Sequence, residues 1–167
     1  MFLRTKISSD SDDLDLLHSE FNWIPSSKNV RRSEDMQDKQ LLDMIPVQKY
    51  YQSFRDYILD TIFGAKVIMN DEGKLLVNEE NHIKQEFKLV ENQYPYQVSQ
   101  ETKHYIMWYI GEKPSDKKIT KDIDSELQEW KLYDQTQFVW YENPKIHRDV
   151  YHVHVFIYQT LPILSDS

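Results

Sequence analysis

The chain predicts an α+β fold: a single domain with N-terminal helices packed on an antiparallel or mixed β-sheet. Three observations lead there. Val47, Tyr50, Tyr51, Phe54, Ile58 and Ile62 recur at three- and four-residue steps, which is the spacing of a helix with one apolar stripe. The later runs His104–Ile110, Phe138–Tyr141 and Val150–Thr160 are dense in aromatic and β-branched residues, the composition of strands. No repeat and no internal linker divides the 167 residues into a second domain.

Taken in order, Ser8–Asp15 is acidic and poor in hydrophobes, which predicts a mobile N-terminal arm. The arm is set at residues 1–18, the folded domain at 19–160 and a C-terminal tail at 161–167. Serines beside acids in the arm are candidate sites for an acid-directed kinase. Ser33 suits the cap of a helix over 34–45, whose first turn carries Glu34 and Asp35. Proline is well placed at a first helical position, so Pro46 is expected to open a second helix over 46–63, stopped by Gly64.

Lys66–Met69 and Lys74–Val77 flank the Gly-ended turn Asn70–Gly73, a β-hairpin pattern. Phe87–Val90 begins a strand or leads into a loop, and Tyr94 is extended because Pro95 follows it. Lys113–Lys121 reads as a polar connection, after which Ile123, Leu127 and Trp130 fall at helical spacing.

Composition removes several function classes. The chain has no cysteine, which excludes disulfides and thiolate metal sites. Three glycines, Gly64, Gly73 and Gly111, are too few and too scattered for a Gly-rich phosphate loop. The net charge of −8 argues against general nucleic-acid binding, which needs a basic face. No run approaches the roughly 20 apolar residues of a membrane span, and the N-terminus lacks a secretory apolar core. A cytoplasmic location, with access to the nucleus, is the expectation.

The chemistry-bearing feature is the last third. In a strand over Val150–Tyr158, His152 and His154 share one face, and Tyr151, Val153, Val155 and Ile157 share the other. His104 heads a second strand of similar character. Three readings follow. The histidines form a hydrogen-bonded structural pair in an aromatic core, because buried polar groups need partners. Alternatively His104, His152 and His154 line a site for a divalent metal, with Glu142 or Asp149 as carboxylate ligands. The same face also suits a metal-free pocket for a small phosphorylated or sugar-like ligand, with Trp108, Trp140 and Tyr109 stacking, Asn143 nearby, and Arg148 and Arg32 as anion contacts. The third reading is a non-catalytic interaction module, whose acidic arm and aromatics meet an unidentified basic partner.

Tyr94-Pro95-Tyr96, His104-Tyr105-Ile106-Met107-Trp108-Tyr109, Asn143-Pro144 and His152-Val153-His154-Val155-Phe156 together resemble the fungal N-acetylglucosamine-induced protein family, a domain of unknown function with relatives in large DNA viruses. Arg31-Arg32-Ser33, Leu41-Leu42 and Tyr50-Tyr51 fit its helical first half. The chain departs from the family at Lys145–Asp149, where members carry a Ser-Ile/Val-Pro-like step. The resemblance implies a fold and an intracellular setting and assigns no chemistry. Val150–Phe156 is also similar to the alternating-histidine strand of the histidine-triad nucleotide hydrolases and transferases, with Phe156 in place of the third histidine. That likeness implies His154 as a nucleophile on an α-phosphate and His152 as its orienting neighbour.

Overall fold

The computed structural model describes residues 3–7, 32–78, 83–131, 136–142 and 150–159. Its elements run Arg4–Lys6 (β1), Glu34–Tyr50 (α1), Phe54–Thr61 (α2), Val67–Met69 (β2), Leu75–Val77 (β3), Phe87–Glu91 (β4), Thr102–Tyr109 (β5), Asp116–Glu129 (α3), Thr136–Tyr141 (β6) and His152–Gln159 (β7). The fold is α+β: a mixed five-stranded sheet in the order β1-β6-β7-β5-β4, with a separate two-stranded β2-β3 hairpin. Only the β1–β6 pair is parallel; β6–β7, β7–β5 and β5–β4 are antiparallel.

Each helix starts at a serine. Ser33, Ser53 and Ser115 accept hydrogen bonds from the backbone N–H groups of Met36, Asp56 and Lys118, satisfying donors that a first helical turn leaves open. Two expectations are corrected here. Pro46 does not open a new helix but lies inside α1. The break falls later, where the Ser53 cap restarts the chain as α2. Lys113–Lys121 is likewise not all connection, because Ser115 caps α3 at Asp116 and Ile119 is fully buried.

The sheet is covered on both faces. On one, α3 lays Ile119, Ile123 and Leu127 against Met107, Tyr109, Phe138, Trp140, Val153, Val155 and Ile157. Burying each aliphatic side chain contributes about 1.5–3 kcal/mol, so this layer is the main stabilising contact of α3. On the other face, α2 packs Ile58, with Phe54, Tyr57 and Ile62 beside it, against Trp108, Val150, Val90 and Ile106. Farther along that face Tyr96 closes over Val139, Tyr141 and Phe156, joined by Leu3 and Ile7.

The start of the chain corrects the arm boundary. Arg4–Lys6 pairs with Phe138–Trp140 as an edge strand, and the Arg4 guanidinium donates to the Thr136 carbonyl at 3.0 Å. Residues 8–18 of the expected arm lie outside the described residues, as do 161–167. No helix among the described residues is long and apolar enough to cross a membrane.

Candidate functional site

Strand register decides which side chains meet. Across β5 and β7, Trp108 pairs with His152, Ile106 with His154 and His104 with Phe156. Directly opposed residues share a face, so His104, Trp108, His152 and His154 converge on the side facing α2. The His152 ring lies 4.7 Å from Trp108, and the His104 ring 5.0 Å from His154.

Trp140 does not join them. Its cross-strand partner is Val155, and its indole N–H donates to Thr120 of α3 at 2.9 Å, so it belongs to the opposite core. Tyr109 faces the same way, its hydroxyl donating to Asp122 at 2.9 Å. The β6 aromatic that does neighbour His154 is Tyr141, with ring centroids 5.1 Å apart. Glu142 is also remote from the histidines; it accepts from Lys113 at 2.9 Å and from the Tyr151 hydroxyl at 2.8 Å. Asn143, Arg148 and Asp149 lie outside the described residues.

The two buried histidines form a directional chain. The Tyr96 N–H donates to His104 Nδ1 at 3.0 Å, so that nitrogen carries a lone pair. His104 therefore holds its proton on Nε2, which lies 2.8 Å from His154 Nδ1 and donates to it. Neutral His154 then carries its own proton on Nε2. A proton on both nitrogens of either ring would set two donors against each other, so both rings are neutral. Burial pushes the His104 pKa well below its usual 6.5, with the Arg32 charge adding to the effect.

This arrangement corrects the metal set. Both ring nitrogens of His104 are committed, one to Tyr96 and one to His154, so it is not available as a third ligand. Among the described residues no group of three or more His, Asp or Glu is placed to hold an ion. In this tautomer His154 is suited to donate a proton rather than to attack with a lone pair.

Between α1, α2 and the histidine face lies a cavity of about 240 Å³. Phe54, Tyr57, Ile58, Ile62, Ile106 and Trp108 make its apolar wall. Arg32, Asn92, His152 and His154 also line it. Arg32 is held in place by its Nε donating to the Tyr94 carbonyl at 2.6 Å, with the guanidinium 4.9 Å from the centre of the Tyr96 ring. Tyr96 in turn stacks on His154 at 5.5 Å, which ties Arg32 to the histidine end. The Tyr94 hydroxyl donates to Asp43 of α1 at 2.9 Å, and burial, with that carboxylate, pushes its pKa up to about 12.

Asn92 was not visible as a site residue in the sequence, where it is one polar side chain after a strand. Its backbone N–H donates to the His104 carbonyl at 2.9 Å. Its Oδ1 accepts from the Tyr94 N–H at 2.8 Å, which fixes the orientation of the amide. That leaves Nδ2 as the second end of a side chain only 6% exposed, and Nδ2 has no hydrogen-bond partner among the described residues. A buried donor left unsatisfied costs about 1–3 kcal/mol. No α2 residue on the cavity wall was singled out as a site residue either; Phe54, Ile58 and Ile62 were legible only as a helix stripe.

No family model and no curated protein matches the chain. Among solved structures it is similar to the crystal structure of HTC1, at 12% sequence identity over 78% of this chain and 77% of that chain, with a TM-score of 0.45.

Proposed function

We propose that this protein binds a small organic ligand in the cavity between α2 and the His/Trp face of the sheet. The observation that carries the reading is Asn92: a buried amide at the wall of a largely apolar cavity, oriented by Tyr94, whose Nδ2 has no hydrogen-bond partner among the described residues. Mostly apolar pockets with a few convergent polar groups are the usual architecture of small-molecule sites. The volume of about 240 Å³ exceeds the roughly 150 Å³ cavity that accommodates benzene. It therefore suits a ring bearing a short substituent and is too small for a dinucleotide.

The resemblance to the N-acetylglucosamine-induced family and a cytoplasmic setting are part of the same proposal; neither supplies a reaction. Histidine-triad chemistry at His154 is the competing proposal, and it needs the opposite tautomer of the buried pair.

A thermal-shift screen tests the binding. The panel holds single-ring and bicyclic aromatic fragments of each charge, amino sugars, sugar phosphates, nucleotides and divalent metals. A fragment at 100 times its Kd should stabilise the fold by about 2.7 kcal/mol. The shift should vanish in Ile106→Trp, which fills the cavity, while that variant still unfolds cooperatively. No shift from any organic fragment, or an undiminished shift in the filled variant, would remove the proposal.

A further inference from the structure

Charge and donor count narrow the ligand beyond its size. The His104–His154 chain is neutral by its hydrogen-bond directions, so these two rings add no positive charge. Among the described residues, Arg32 is the Lys or Arg side chain that lines the cavity. Its Nε is engaged by Tyr94, and the terminal N–H groups of the guanidinium form a planar fork that matches a carboxylate. Asn92 Nδ2 is a further donor, tied to the same end through Tyr94: the Tyr94 N–H holds Asn92 and the Tyr94 carbonyl holds Arg32. Glu91 borders the cavity as well, but its charge acts on Tyr105, whose side chain packs with the α3 core. Among the described residues the Arg32–Asn92 end thus offers one guanidinium charge and several donors. A dianionic phosphate would be left half compensated there, whereas a monoanion is matched.

From this juxtaposition of Arg32 and Asn92 across Tyr94, at one end of an apolar, Trp108-walled cavity, we infer that the ligand is a small aromatic monocarboxylate. Its ring lies along Phe54, Ile58 and Trp108, and its carboxylate accepts from Arg32 and from Asn92 Nδ2. The inference rests on the cavity being a ligand site, and it adds the charge and polarity of what enters.

The test uses three probes that share one ring and differ at the polar end: indole-3-propionate, indole-3-propionamide and tryptamine. Calorimetric titration of the full chain should rank them carboxylate, then amide, then amine. Asn92→Asp keeps the Oδ1 acceptor that Tyr94 requires and removes only the Nδ2 donor while adding negative charge. It should weaken indole-3-propionate by about 10–100-fold, the loss of a charge-assisted hydrogen bond worth about 1.5–3 kcal/mol, and should improve tryptamine. If that variant does not fold, Arg32→Gln provides the second reading and should weaken the carboxylate by about tenfold or more with no effect on the amide. Binding of the amide or the amine as tightly as the carboxylate overturns the inference and leaves the cavity a ligand site. Absence of binding by all three overturns it too, and the fragment screen then decides separately whether the cavity binds anything.

Discussion

His104 ties folding to protonation. It is 2% exposed, accepts from the Tyr96 N–H and donates to His154, and burial holds its pKa well below 6.5. For a base whose folded pKa is depressed, the unfolded chain binds more protons between the two pKa values. Stability is therefore fully present above about pH 6.5 and falls as pH drops from there toward the folded pKa. One such group contributes a slope of up to about 1.4 kcal/mol per pH unit. Urea unfolding between pH 4.5 and 7.5 should show this component in the native sequence and not in His104→Gln. Parallel profiles in the two proteins would mean that His104 does not titrate on unfolding. At pH 7.5 the variant should itself be less stable by about 1–3 kcal/mol, because the partners of the lost ring are left behind.

At the level of elements, α1 is the unusual one. It runs 17 residues through Pro46 and buries none of them, and Leu41, Leu42 and Ile45 stay exposed. Pro46 has no N–H to give the Leu42 carbonyl, so the helix carries a gap in its ladder. The proline preference for a first turn made a helix start at 46 the natural expectation, yet the local cap at Ser53 and the Ser33 cap at the other end define the actual boundaries. Pro46→Ala restores the missing bond without disturbing any buried contact. It should raise the urea midpoint, with a ceiling of about 3 kcal/mol set by the helix propensities of the two residues. A lowered midpoint would show that the docking of α1 through Asp43 and Tyr94 depends on the proline geometry.

For the whole molecule, the five-stranded sheet is complete only when the start of the chain is included. Leu3 and Ile7 pack beside Val139, Tyr141 and Phe156, and the Phe138 and Ile7 N–H groups donate to the Leu3 and Trp140 carbonyls. Removing residues 1–7 should therefore cost more than about 2 kcal/mol, from lost apolar burial and strand pairing together. A melting temperature unchanged by that truncation would return the segment to the status of an arm. The charge pattern hid this strand: Arg4 and Lys6 project toward Asp124 and Asp116 on the α3 side, and three polar residues shortly before an acidic tract do not announce an edge strand.

The sequence by itself determined the fold class, the three long strands, the hairpin and the common face of His152 and His154. Period-two alternation and serine caps are local properties, and they survive folding unchanged. It could not determine which of Trp140 and Tyr141 faces the histidines, because Phe138–Tyr141 is apolar at every position and carries no alternation to set its phase; register with Val155 and His154 settled that. Nor could it mark Asn92. That amide acquires its meaning only when the Tyr94 N–H donates to its oxygen, Arg32 and His104 come alongside, and α2 walls the cavity. The Tyr94 bond is local, but Arg32 reaches Tyr94 across 62 residues and α2 is at least as distant in the chain from the histidine strand, so only tertiary packing brings them together.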